Sequence, residues 1–304
     1  MTRNWVGLLL LMTISAACSP TTESIIATSS ASPIPSVSSP TPSTTPDVPT
    51  TLAPLTAATP AIVIESSQIP PTPTLLNPVV PLPTEQLKIF YPGPASQVTN
   101  PFQVAGWGGP SYRDRVKLRL LGENGRVLTE GNAWLHVLPE VENSGRFYLE
   151  FPFDISLVAE AARLEASMYG YRDGQLSHLN TVNLTLLSVG SSLIHPAING
   201  PEKLAIFYPR QEAVIEGGQV TVYGAGWVDS DLPLTVEVLD NNGEVLGSSQ
   251  VYLDAPVIGQ LGTFQVDIPY QITFPQWARI GVSEYSTDIP GLIHYSSVEV
   301  WLKP

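Results

Sequence analysis

Side chains able to do chemistry are sparse in this sequence. Four histidines, His136, His178, His195 and His294, lie far apart, and none sits in a His-x-His, His-Glu-x-x-His or Cys-paired arrangement of the kind that holds a transition metal. The single cysteine, Cys18, excludes both a disulfide frame and a thiolate cluster within the chain. No Gly-x-Ser-x-Gly elbow, phosphate-cradling loop or dinucleotide fingerprint is present. Asp240-Asn241-Asn242-Gly243 has the look of a calcium loop, but the matching Gly122-Glu123-Asn124-Gly125 does not share its carboxylate, and a hairpin turn accounts for both. The 27 acidic residues leave room for a converging carboxylate pair that hydrolyses glycosides, which spacing alone does not reveal. The expectation is a protein that is not an enzyme, with no cofactor and no metal site.

Binding chemistry is easier to place. Arg113, Arg115, Lys117 and Arg119 gather on one loop and strand, where a period of two turns at least three of them to the same side. The matching stretch further on offers Asp229, Asp231 and Glu237 instead. Residues 87–190 carry a net charge of -1 and residues 191–304 one of -9, so the two halves differ in surface. A basic strip of this kind fits an anionic cell-wall polymer, a phospholipid, an envelope protein or the acidic second half itself. Trp301 alternates onto the face of Glu299 and is a candidate for a sugar or protein contact, whereas Trp107 and Trp227, each following a glycine, are expected to pack in the core. With a formal net charge of -13, nucleic acid is not an expected partner, because neutralising phosphates requires a cationic face.

The N-terminus has one early cation, Arg3, then an apolar run from Trp5 to Ile14, then Ser15-Ala16-Ala17 directly before Cys18. A run this short falls below the length that crosses a bilayer of about 30 Å, and reads as an export signal. With the only thiol placed just after small residues, residues 1–18 resemble the lipobox of bacterial lipoproteins. That resemblance implies a diacylglycerol on Cys18, a membrane held through the N-terminal lipid, and an extracytoplasmic location. Ordinary cleavage after Ser15-Ala16-Ala17 remains the alternative.

Residues 19–86 hold 24 Ser/Thr and 15 Pro among 68 residues and no Lys or Arg. Too little apolar surface is available to offset ordering entropy, so a disordered tether is expected, roughly 45 Å across as a coil and about 200 Å if stretched as polyproline II.

The remainder repeats. Leu87-Lys88-Ile89-Phe90-Tyr91-Pro92 returns as Leu204-Ala205-Ile206-Phe207-Tyr208-Pro209. Gly106-Trp107 is matched to Gly226-Trp227, the run from Val116 to that from Leu234, Asn124-Gly125 to Asn242-Gly243, Gly145-Arg146-Phe147 to Gly262-Thr263-Phe264, and Val182 to Val298. Two copies are expected, at 87–190 and 203–304. Within each, hydrophobic residues alternate: Val116, Leu118 and Leu120 against Lys117 and Arg119; Phe147, Leu149 and Phe151 against Tyr148 and Glu150. Asn-Gly between such runs signals a hairpin, with a type I′ turn as the expected form. The helix-like stretch Ser156–Ala166 is expected to be a turn entering a strand, since its counterpart carries Pro275. Short, evenly spaced strands indicate an antiparallel sandwich, so the fold class is all-β.

The order of these landmarks, with Phe102-Gln103-Val104-Ala105-Gly106 after the opening strand, resembles the immunoglobulin-like domain of bacterial spore-germination proteins called Gmad2. The resemblance covers both copies and implies two tandem Ig-like sandwiches with no known catalytic residues. The implied protein is lipid-anchored and surface-displayed, a non-catalytic binding or scaffolding component of the cell envelope. The alternatives are an accessory subunit of an envelope enzyme or export system, and a hydrolase.

Overall fold

The structure, a computed structural model, describes residues 81–304 apart from 142, 198 and 199. These fall within one compact unit, Thr74–Pro304. The signal segment, Cys18 and nearly all of the expected tether lie outside the described residues.

The described residues are all-β, in sheets that are antiparallel except where two three-residue strands join a neighbour in parallel. The first copy contributes β1 (Lys88–Tyr91), β2 (Gln97–Thr99), β3 (Phe102–Gly108), β4 (Arg115–Gly122), β5 (Val127–Trp134), β6 (His136–Leu138), β7 (Ser144–Phe151), β8 (Ala159–Tyr169) and β9 (Leu176–Leu187). The second contributes β10 (Leu204–Tyr208), β11 (Ala213–Ile215), β12 (Gln219–Gly226), β13 (Leu234–Asp240), β14 (Val245–Val251), β15 (Gly262–Pro269), β16 (Gln276–Ser286) and β17 (Gly291–Leu302). Ser156–Ala166 runs into β8, and its alanines serve as small core residues of a strand rather than helix formers.

Two hydrophobic cores form. Val116, Leu118, Leu120, Phe147 and Phe151 fill the first, and Val236, Val238, Phe264, Val300 and Leu302 the second. Each lies between a small sheet, β1-β3-β7-β6 or β10-β12-β15, and one large sheet shared by both copies, in the order β14-β13-β16-β17-β9-β8-β4-β5. Alternation produces this directly: inward residues of β4 are buried, while Arg115, Lys117 and Arg119 stay partly exposed on the outer face.

The copies join where β9 and β17 pair antiparallel, Leu179 opposite Tyr295 and His178 opposite Ser296. Leu179 and Tyr295 are themselves repeat counterparts, so an approximate two-fold axis passes through this pair. Side-chain bonds obey it. The Thr181 hydroxyl donates to the Ile293 carbonyl at 2.9 Å, and its counterpart, the Ser297 hydroxyl, donates to the Ser177 carbonyl at 2.8 Å. The junction is thus built like an isologous dimer interface within one chain.

Strand pairing corrects two details of the repeat. Gly106 lies opposite Phe147 and Gly224 opposite Phe264, so Gly106 corresponds to Gly224, two residues before the Gly226 chosen from sequence. Trp107 and Trp227 are consequently not equivalent, and both are half-buried rather than core residues; Trp107 lies on the outer face of β3. The Asn-Gly hairpins are not type I′. Only Gly125 and Gly243 have positive φ, at 77° and 82°, and Gly125 N donates to Gly122 O at 2.9 Å, which is a turn closed by a glycine bulge.

Candidate functional site

The basic strip divides once its partners are visible. Lys117 pairs with Glu130 on β5 at 3.0 Å, and Arg119 with Glu165 on β8 at 3.6 Å. Arg115 instead lies 4.0 Å over the ring of Trp134, its cross-strand neighbour, and Arg113 lies 5.0 Å over Tyr112 in the short 3-10 turn Tyr112–Asp114. Among the described residues neither Arg113 nor Arg115 has a carboxylate partner. Half of the strip is therefore neutralised within its own sheet, and the other half is stacked on aromatic rings.

Trp301 is half-buried and meets Trp277 edge to face at 5.3 Å. Arg172, from the hairpin between β8 and β9, covers Trp277 at 3.8 Å and reaches Glu299 at 3.4 Å. So Trp301 belongs to an arrangement in which the first copy reaches over the second.

The core of that arrangement is Arg279, which is 3 % exposed. It grips Asp173 of the first copy through Nε and Nη2, both at 2.9 Å, and bonds Ser297 at 3.0 Å and Glu299 at 2.5 Å. Its counterpart Arg163, 1 % exposed, reaches the other way and donates to the carbonyls of Ile289 at 2.6 Å and Pro290 at 3.2 Å. Each arginine thus anchors the other copy's hairpin tip. A cleft of about 460 Å³ opens beside Arg279, lined by Tyr171, Arg172, His178, Glu212 and Glu299.

A second polar cluster lies on the two-fold axis, and sequence reading missed it. His178 and His294 are repeat counterparts, as are Glu85 and Glu202, and the junction brings all four into one neighbourhood. His294 Nε2 lies 3.3 Å from Glu202 Oε1, the Gln86 amide donates to Glu202 Oε2 at 3.0 Å, and Asn180 Nδ2 donates to Glu85. Thr84 bridges Pro201, so the end of the proline-rich stretch is tied down against the linker between the copies. Burial holds His178 down at about 4, against the pull of Glu202. Burial also works against the charge on Glu202, but the His294 hydrogen bond and the His178 and His294 charges outweigh it and hold that carboxyl below its ordinary value. Glu85 is pushed up to about 8, first by burial and then by Glu202. The chemistry available is proton binding. Among the described residues no serine hydroxyl bonds either imidazole. The other two histidines lie elsewhere: His136 is exposed on β6, and His195, in the linker, has Nδ1 3.3 Å from the Pro94 carbonyl.

Among the described residues no three His, Cys, Asp or Glu side chains converge as metal ligands, and no helix is long and apolar enough to cross a membrane. No family model and no curated protein matches the chain. Among solved structures, red sea bream transglutaminase is similar over 74% of this chain and 32% of that chain, with 14% identity and a TM-score of 0.27. The chain spans about a third of that protein's length. The likeness is too distant to carry a functional argument, and these comparisons lend no support to the Gmad2 or lipoprotein resemblances.

Proposed function

We propose that the chain is a lipid-anchored, surface-displayed, non-catalytic binding or scaffolding protein of the bacterial cell envelope, with two tandem Ig-like sandwiches carried on a Pro/Ser/Thr-rich tether from Cys18. The observation that carries the binding half of this reading is the way polar residues at the junction are used. Arg163, Arg279, Asp173 and Glu299 are spent on holding two copies as one sheet, which makes a stiff platform rather than an open reaction centre. The anchoring half rests on Ser15-Ala16-Ala17-Cys18 and on the lone thiol.

Intact mass spectrometry of membrane and soluble fractions from a bacterial host, with Cys18→Ala alongside, tests the anchor. The expected result is a mature chain beginning at a diacylglycerol-modified Cys18 in the membrane fraction, with the variant unmodified. A soluble mature chain beginning elsewhere overturns it.

A further inference from the structure

We propose that a belt of cations and aromatic rings around one edge of the first copy binds an acidic polysaccharide. The inference rests on the reading above that the protein binds a partner outside the cell.

The belt follows from strand register. Lys88, Trp107, Arg146 and His136 lie side by side across β1, β3, β7 and β6, each opposite the next. All four are on the outer face, because Ile89, Phe147 and their inward neighbours occupy the core. At about 4.8 Å between strands the row is roughly 14 Å long, enough for a short run of sugar units. The chain then turns the edge of the sandwich: Leu135 is buried, His136 and Trp134 point outward on either side of it, and Trp134 carries Arg115.

Charge complementarity names the occupant. Among the described residues Lys88, Arg113, Arg115, Arg146 and Arg210 make no salt bridge, and four of these five belong to the first copy; Lys117, Arg119, Arg126, Arg163, Arg172, Lys203, Arg279 and Lys303 are all paired. The Arg115 Nε is buried without a hydrogen-bond partner. Trp134 is 57 % exposed, and Trp107 is half-buried between two cations. A flat aromatic face takes the C–H face of a sugar ring, and guanidinium or ammonium groups one strand away take its carboxylates. A purely phosphate polymer would have no use for the rings.

The second copy serves as an internal control. At the places of Lys88, Trp107, Arg146, His136 and Arg115 it has Ala205, Ala225, Thr263, Asp254 and Pro233. Only the Trp134 position keeps a ring, as Tyr252. The fold needs neither the cations nor Trp107, since the second copy folds without them.

The test is isothermal titration of the full chain with polygalacturonate, its fully methyl-esterified form and polyphosphate, at two salt concentrations. Polygalacturonate is expected to bind, with methyl esterification weakening it at least tenfold. Arg146→Ser, on an exposed site, and Trp107→Ala are each expected to weaken it about tenfold, while Thr263→Ala in the second copy leaves it unchanged. Arg146→Ser keeps the test sound if Trp107→Ala fails to fold. No binding of polygalacturonate, equal binding of the variants, or polyphosphate binding as tight and indifferent to Trp107 overturns the proposal. Because the titration does not use the lipid, it fails or succeeds independently of the Cys18 experiment.

Discussion

Arg163 and Arg279 stand at the same place in the two copies and reach in opposite directions across the axis, Arg163 to the carbonyls of Ile289 and Pro290 and Arg279 to the carboxylate of Asp173. The target in each case is the hairpin tip of the other copy. A pairing of β9 and β17 over Leu179–Tyr295 and His178–Ser296 is short, and these arginines extend the grip well beyond it. Gln175 Nε2 lies 3.4 Å from the Asn241 carbonyl, and Pro290 packs near Gly125, so each tip spans to the Asn-Gly turn of its neighbour.

Removing Arg279 leaves the Asp173 carboxylate, whose side chain is 4% exposed, as an unpaired buried charge. Arg279→Met is expected to cost about 3–5 kcal/mol of stability in urea unfolding. Arg279→Met with Asp173→Leu should recover a large part of that loss, because an apolar pair needs no desolvated charge. A single variant that unfolds at the wild-type midpoint would show that the arginine is not what locks the copies.

Gly106 and Gly224 are expected to be intolerant of a methyl group. A Cβ at Gly106 would lie 2.2 Å from the Lys88 carbonyl and from the Phe147 ring, and one at Gly224 2.3 Å from the Ala205 carbonyl and the Phe264 ring. The ring could shift, but the backbone of the neighbouring strand cannot. Alanine at either position should cost at least about 1–3 kcal/mol. Gly200→Ala, which meets nothing within 4 Å, is the control and should stay within about 0.5 kcal/mol. Equal midpoints for Gly106→Ala and Gly200→Ala would refute the close packing.

The same glycines show what sequence could and could not deliver. Alternation in Val116-Lys117-Leu118-Arg119-Leu120 set the inner and outer faces of β4 correctly, because period two is a local property. Gly106 and Gly226 share a following Trp in the sequence, but what the fold repeats between copies is a glycine opposite a phenylalanine on the neighbouring strand, which makes Gly224 the counterpart of Gly106. The axis cluster was hidden for another reason. His178 and His294 share the repeat offset, and so do Glu85 and Glu202, which was a readable signal; but ligand spacing within one segment shows nothing when the partners meet only through the symmetry of the junction. Glu85 also stood in a stretch whose composition marked it as spacer.

The axis cluster makes stability depend on pH with two opposed slopes. Glu85 is an acid whose folded value, about 8, lies above its ordinary 4.5, so its contribution is present below pH 4.5 and lost as pH rises through 8. The neighbours acting on it are Glu202, which adds to the rise, and Lys88, Lys203 and the Asn180 amide, which oppose it. His178 is a base held near 4, below its ordinary 6.5; Glu202 favours its charged form, while His294 and Arg279 oppose it. Its contribution is present above 6.5 and lost as pH falls through 4, and the lowered Glu202 carboxyl adds to that acid limb. Between about 4.5 and 6.5 the two slopes cancel, so melting temperature should form a plateau there, falling above it through Glu85 and below it through Glu202 and His178. Glu85→Gln is expected to flatten the alkaline limb and to extend the acid limb up to about pH 6.5, because the His178 slope is then no longer offset. An unchanged alkaline limb in that variant would place the effect elsewhere.

The basic strip offers a last contrast, between residues that look alike in sequence. Lys117 and Glu130 form an exposed pair of the kind worth about 0–1 kcal/mol, so Lys117→Gln should leave both stability and polygalacturonate affinity nearly unchanged. Arg119 faces Glu165, which is 5% exposed and already sits 3.3 Å from Arg163. Burial raises the Glu165 carboxyl while the two arginines pull it down. Arg119→Glu sets a second carboxylate against it and should cost about 1–3 kcal/mol, measured by urea unfolding, again with affinity unchanged in the folded protein. Arg115→Gln should behave in the opposite way, with stability nearly kept and affinity lowered, because its guanidinium has Trp134 beneath it and no carboxylate beside it. If instead Lys117→Gln weakens polygalacturonate tenfold while Trp107→Ala and Arg146→Ser leave it unchanged, the binding surface lies on the open face of β4, and the belt through Trp107 and Arg146 is not the site.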